Sequence, residues 1–316
     1  MDTMDAQDKP LTTREVPPQF LKPAMLVGHI PHRALASDPR VSYALYVPPR
    51  YYWDGHDARA NDSARAKLPL LVSVHGTRRY VYDIEELAPF AESTPCAILT
   101  PLFPTGLDGP NDVDSYKQLR SKTLRSDLAI LSMLDEVAVR WPEIDTDKIF
   151  LMGFSGGGQF VHRFLYVHPE RLAAASVGAP GHTTALDDQQ NWPAGTKDVE
   201  SLLGKPIDKD LIKRVAIQLV VGDQDVKIHG GEAFWTWVRQ LKARGGAGSG
   251  AASNAEKYMS MDHGRLETMR KLRDSWERDG IEAQLDVVGG VAHDARGVRD
   301  AVLAFLEPRI KAHSSN

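Results

Sequence analysis

A mostly parallel β-sheet with helices on both faces, an α/β fold, is what this sequence predicts, and three observations predict it. Short, continuously apolar runs of strand length recur along the chain, as strands buried on both faces require. Segments with apolar residues three or four apart alternate with them, which is the pattern of strand, crossover helix and parallel strand. Chemistry-bearing residues follow several of the apolar runs directly: His75-Gly76, Ser155, Asp225 and His293. In a parallel sheet the carboxyl ends of the strands share one edge, so these residues converge although they lie far apart in sequence.

The elements follow in order. Residues 41–47 and 68–74 read as strands, the second ending in His75-Gly76-Thr77, and residues 96–102 as a third that leads into a Pro/Gly-rich loop. Leu124, Leu128, Leu131 and Leu134 lie three or four apart and predict one long helix over residues 118–141. In the segment from Lys148 to Phe160, an apolar run of strand length ends at Gly-x-Ser-x-Gly, followed by a helix with Phe160, Phe164 and Leu165 on one face. Strands are expected at 172–177 and 215–221, and the second of these is closed by Gly222-Asp223-Gln224-Asp225. Leu266, Met269, Leu272 and Trp276 mark a helix that Gly280 ends. A last strand over 283–288 and a closing helix over 298–310 complete the set. No internal repeat is evident.

The most informative segment is Gly153-Phe154-Ser155-Gly156-Gly157, a Gly-x-Ser-x-Gly pattern set between an apolar strand and an amphipathic helix. A serine at that apex takes a strained backbone conformation, which is why small residues flank it. The strain lifts its hydroxyl clear of the sheet, and the helix behind it aims free N–H groups at the same place, suited to a developing oxyanion. The plainer reading is a Gly-rich turn that binds phosphate or nothing. No Lys-Ser/Thr pair follows the glycines, which excludes a Walker-type loop.

A nucleophilic serine needs a base, and the base needs an orienting acid. Among 11 histidines, His293 follows a strand and lies in a loop before a helix. His75, at a strand end, reads as a brace for the adjoining turn; His162 and His168 read as packing or surface residues. The acid falls between serine and histidine if the order Ser, Asp/Glu, His holds. Asp225 is favoured because the third residue after Gly222 has left the strand and can turn toward a histidine loop, whereas Asp223 suits a backbone bond within the turn.

Bulk properties narrow the function classes. The chain has 316 residues, a net charge of −4, a pI near 6.3 and no long Lys/Arg block, which argues against nucleic acid as a partner. The first residues are acidic and polar, unlike a secretory signal, and no apolar run approaches a bilayer span; a soluble, cytoplasmic protein with no membrane partner is expected. Cys96 is the only cysteine, so no intrachain disulfide forms and a Cys-based metal site is not expected.

On His75-Gly76, Gly153 to Gly157, Gly222 to Asp225 and His293, the chain resembles serine hydrolases of the α/β-hydrolase fold, over roughly residues 40 to 312. The look is similar to the esterase and polyhydroxyalkanoate-depolymerase-like branch; the His-Gly-Gly-Gly run of the hormone-sensitive-lipase branch is missing. The resemblance implies residues 1–40 as an N-terminal extension, one hydrolase domain over 41–312, and a tail over 313–316. It implies a Ser155, Asp225, His293 triad acting on a small-molecule carboxylic ester through an acyl-enzyme, with no metal or organic cofactor. It implies an oxyanion hole from the N–H of Gly156 and a second donor from Thr77 or Arg78, with Thr77 favoured. The same triad serves amides, thioesters, carbon–carbon bonds or acyl transfer, and a non-catalytic ligand-binding relative is the remaining class.

Two insertions leave the expected catalytic edge, residues 181–214 with Trp192-Pro193, and residues 227–262 with Phe234, Trp235 and Trp237 before a glycine-rich run. Either could be a lid or surface decoration. Trp192, Trp235 and Trp237 could contact an apolar acyl group or anchor the insertions. Arg78, with Arg79 and Tyr80, could bind a substrate carboxylate or form a solvated charged loop.

Overall fold

The computed structural model describes residues 10–52, 66–80, 83–226 and 264–314. Eight strands form one sheet in the order β1-β2-β4-β3-β5-β6-β7-β8. They are β1 Gly28–Ala34, β2 Ser42–Val47, β3 Leu70–Val74, β4 Ala97–Leu102, β5 Ile149–Phe154, β6 Leu172–Gly178, β7 Ala216–Gly222 and β8 Gln284–Val288. β1 and β2 run antiparallel at one edge, and the six strands from β4 to β8 run parallel, so the mostly parallel sheet is as expected.

The sheet faces bury alternate residues of the same strands. On one face Leu70, Val72 and Val74 of β3 join residues from α2 (Ser126–Arg140), α3 (Gly156–Val167) and α6 (Arg265–Arg278). On the other, Leu71 joins residues from α1 (Asp83–Ser93) and α7 (Ala295–His313). Helices cover both sides, which is why these strands read as unbroken apolar runs. The chain steps one way from β3 to β4 and then crosses back to β5 on the other flank of β3. That reversal opens a crevice at the carboxyl ends of β3 and β5. All twelve residues of α3, the helix beginning there, are buried.

Four local differences from the sequence expectation stand out. The sheet begins inside the segment read as an extension, because β1 pairs antiparallel with β2. Its sequence, Gly-His-Ile-Pro-His-Arg-Ala, lacks an apolar run and carries a proline, which an edge strand tolerates. Trp141 pins the preceding residues by donating its indole N–H to the Leu26 carbonyl at 2.6 Å. The helix expected over 118–141 is instead a 3-10 turn, Ser115–Gln118, a bend, and then α2. The Ser121 hydroxyl oxygen accepts the N–H groups of Thr123 and Leu124, a local alternative to helical bonding. Helix α1 carries Pro89 in its interior, and its apolar residues were not read as a helix. α7 runs to His313, into the expected tail, where its ring bonds Asp145 at 2.7 Å.

Candidate active site

Ser155 stands between β5 and α3 with φ +57° and ψ −110°, a conformation L-residues rarely adopt. Its N–H donates to the Gly178 carbonyl at 2.8 Å, and its own carbonyl accepts the Gln159 N–H at 3.0 Å, so both flanks of the turn are fixed. The glycines permit the close approach. A Cβ on Gly157 would lie 2.1 Å from the Val74 carbonyl oxygen, inside the backbone of β3.

On the β3 side of the crevice, Gly156 meets the loop after His75-Gly76. A Cβ on Gly156 would lie 2.9 Å from the Thr77 nitrogen, 2.7 Å from the Tyr116 hydroxyl and 2.8 Å from Lys117 Cε. The structure thus brings Gly156 and Thr77 together beside Ser155. His75 braces this loop. Phe103 donates its backbone N–H to His75 Nε2 at 3.0 Å, so Nδ1 must carry the proton it gives the Gly76 carbonyl at 2.9 Å. Burial pushes the His75 pKa down to about 4, keeping the ring neutral. His162, on α3, repeats the arrangement, accepting the Thr184 N–H at 3.0 Å and donating to Gly158 at 3.0 Å. Burial lowers its pKa to about 3. Neither imidazole has a basic nitrogen to spare. His168 is also buried and bonds Asp127 at 2.9 Å.

Arg79, at φ +53°, donates to the carbonyls of Thr77, Phe103 and Val113 at 2.6, 2.9 and 3.0 Å and lies 5.0 Å over the Tyr116 ring. Its guanidinium clamps the loop. Arg78 beside it is exposed.

On the other flank, the loops after β7 and β8 are drawn together. Gln224 donates its N–H to the Val291 carbonyl at 2.9 Å, and a Cβ on Gly222 would lie 2.0 Å from that carbonyl oxygen. Asp223 accepts the Gly290 N–H at 2.8 Å, a backbone bond that holds the β8 loop. Asp225, 2% exposed, bonds His293 between Oδ2 and Nδ1 at 2.6 Å. The carboxylate accepts, so Nδ1 carries the proton and Nε2 is the basic nitrogen. The His293 ring lies 4.8 Å from that of Phe154, the residue before Ser155, which sets the imidazole at the serine turn.

Two residues near the site were not singled out from the sequence. Lys117 is buried with its ammonium on Asp114, and its stem packs against Gly156. Burial lowers its pKa, against the pull of Asp114. Arg265, first residue of α6, lies 3.7 Å from Asp225 through Nη1. No periodicity marks either residue, since each is a polar group at an element end.

Trp192 is half-buried, donates its indole N–H to the Gln118 carbonyl at 2.8 Å and packs on the core. It anchors the 181–214 insertion, which also holds α4 (Val199–Leu203) and α5 (Lys209–Ile212). Phe234, Trp235, Trp237 and the insertion over 227–262 lie outside the described residues. Among the described residues no group of three or more His, Cys, Asp or Glu side chains is placed to hold a metal, and no helix is long and apolar enough to cross a membrane.

No protein-family model matches the chain, and no curated protein matches it. Solved structures do. LpqC, a poly(3-hydroxybutyrate) depolymerase from Bordetella parapertussis, superposes with a TM-score of 0.62 at 18% identity, over 96% of this chain and 95% of that one. Poly(aspartic acid) hydrolase-1 from Sphingomonas sp. KT-1 gives 0.56 at 18%, over 84% and 92%. The fluorophosphonate-binding serine hydrolase F of Staphylococcus aureus gives 0.53 at 13%, over 90% and 98%. Together with the sheet order and the strand-turn-helix at Ser155, these place the chain in the α/β-hydrolase fold.

Proposed function

We propose that this protein is a serine hydrolase that cleaves a carboxylic ester through an acyl-enzyme on Ser155. The observation that carries the reading is the 2.6 Å bond from His293 to Asp225, with the imidazole against Phe154 beside a strained serine. A buried carboxylate holding Nδ1–H leaves Nε2 to act as the base. Ser155 Oγ attacks the ester carbonyl as its proton passes to Nε2, and Asp225 stabilises the imidazolium. The N–H groups of Gly156 and Thr77 receive the oxyanion, aided by the N-terminus of α3. The imidazolium then protonates the leaving alcohol. Water attacks the acyl-enzyme with its proton going to Nε2, and that proton returns to Oγ as the acid departs. The chemistry uses side chains and backbone alone. Three structural neighbours that are themselves hydrolases support the reading.

The test is a panel of short and long p-nitrophenyl esters with intact-mass analysis after a fluorophosphonate probe. One adduct is expected on the native protein and none on Ser155→Ala. Labelling that survives the substitution would place the nucleophile elsewhere.

A further inference from the structure

Arg265 occupies a position that helix physics disfavours for a cation. It is the first residue of α6, where the macrodipole presents its positive end, and it is 3% exposed, so it has lost its hydration. Burial pulls its pKa down, and the charge on Asp225 opposes that pull. Such a residue is stable only against a compensating anion.

Among the described residues, that anion is the carboxylate proposed as the catalytic acid. Asp225 divides its oxygens: Oδ2 meets His293 Nδ1 at 2.6 Å, and Oδ1 faces Arg265 Nη1 at 3.7 Å. The backbone joins the same residues, since Leu266 donates its N–H to the Asp225 carbonyl at 3.2 Å. The Arg265 guanidinium reaches toward the α3 side, where a Cβ on Gly181 would lie 3.7 Å from Nη2 and 3.3 Å from Gln159 Nε2. Among the described residues, the charged groups facing Asp225 are His293 from the β8 loop and Arg265 from α6, while Asp223 on its own loop turns to Gly290.

We propose that Arg265 is a positioning residue for the catalytic acid: its guanidinium compensates the buried Asp225 carboxylate on Oδ1, so that Oδ2 stays aimed at His293. The inference rests on the triad reading above. Arg265 acts through Asp225 and touches no reacting atom, so its removal affects turnover and leaves ground-state ester binding unchanged.

A double-mutant cycle with p-nitrophenyl acetate tests it. Arg265→Met should lower kcat about 10- to 100-fold, the range for losing an outer partner of a functional group, with KM little changed. In an Asp225→Asn background the same change should cost less than about threefold, because the partner charge is already gone. The acid limb of the kcat/KM profile should move to higher pH in Arg265→Met, since a cation that discourages imidazole protonation is lost. Arg265→Lys keeps the charge and should restore most of the rate and the original limb. If circular dichroism shows Arg265→Met unfolded, Arg265→Lys carries the cycle, with a smaller loss that again vanishes beside Asp225→Asn. Equal losses in both backgrounds, a raised KM at unchanged kcat, or no change at all would each overturn the proposal. Ser155→Ala and Asp225→Asn, run alongside, separate the cases: if they behave as expected and Arg265 does not, only this inference fails. If the native protein neither hydrolyses esters nor takes the probe, both fail.

Discussion

The two flanks of the crevice are built by different means. The flank that carries the proposed oxyanion donors, Gly156 and Thr77, is an extension of the core. His75, Tyr116, Phe103 and Phe160 pack in series with ring centroids 4.9, 5.6 and 5.7 Å apart, and Gly156 is pressed against Tyr116, Lys117 and Thr77. Among the described residues, the flank of the proposed acid and base consists of two loops joined by polar contacts and by the close approach of Gly222 to Val291, and its histidine side chain is 32% exposed. Geometry on the first flank is a consequence of packing, which is dense and intolerant of added volume. On the second it depends on individual hydrogen bonds and one ion pair. Substitutions should therefore separate by flank: added volume costs stability and turnover together on one side, and exchange of a single polar group costs turnover on the other.

The largest expected effect lies where the flanks meet. Ser155→Ala or His293→Ala should each lower kcat by about 10⁶, and the double variant little further, because the two act as one unit. Additive losses, read by stopped assays of all three proteins, would break the assignment of His293 as the base for Ser155.

Next is the acid. Asp225→Asn should reduce kcat by about 10⁴ through the wrong imidazole tautomer. Asp223→Asn should cost far less turnover, since Asp223 bonds the Gly290 backbone. The reverse order would exchange the two residues' roles and remove the distinction drawn for this flank.

On the opposite flank, Gly156→Ala would place a methyl within 2.9 Å of the Thr77 nitrogen, Tyr116 hydroxyl and Lys117 stem. Displacing a proposed oxyanion donor should lower kcat about 10²- to 10³-fold. The crowded aromatic cluster should also destabilise the fold by about 1–3 kcal/mol. A turnover loss at unchanged melting temperature would show that this flank, like the other, is set by local bonds.

How much of this was legible in the sequence follows the same division. The central parallel strands were readable because both faces bury apolar residues, and Gly153 to Gly157 was readable because a strained turn admits few residue types. β1 was not, since a polar edge strand with a proline has no periodic signal. The bend before α2 was hidden because Leu124 keeps helical spacing with Leu128 while the Ser121 hydroxyl bonds the backbone instead. At the site, Ser155, Asp225 and His293 each follow a strand, and that placement is a sequence signal. Arg265 and Lys117 come together with the site only through tertiary packing, and an arginine or lysine at an element end ordinarily reads as solvated. Arg79 illustrates the converse: a residue weighed as a ligand for a substrate carboxylate spends its donors on three carbonyls of its own loop.

The smallest expected effect is on stability against acid, and it belongs to the packed flank. His75 and His162 are buried neutral, with pKa values lowered by burial to about 4 and about 3 from 6.5. In the unfolded chain both take a proton as pH falls through 6.5, while in the folded protein they do not. The stability they contribute is therefore complete above pH 6.5 and is lost as pH drops toward 4 and 3. Each histidine adds a slope of at most about 1.4 kcal/mol per pH unit in that window. Glutamine at position 75 can still accept the Phe103 N–H through its amide oxygen but does not titrate. Urea unfolding of His75→Gln between pH 7 and 5 should then give a shallower dependence than the native protein, by about one proton, whatever its absolute stability. Carboxylates such as Asp127, which its bonds to His168 and Arg125 hold low, lose their contribution at more acid pH and leave this window to the histidines. An unchanged slope would mean that His75 already accepts a proton in the folded state. The loop after His75-Gly76 would then be held as loosely as the loops that carry Asp225 and His293.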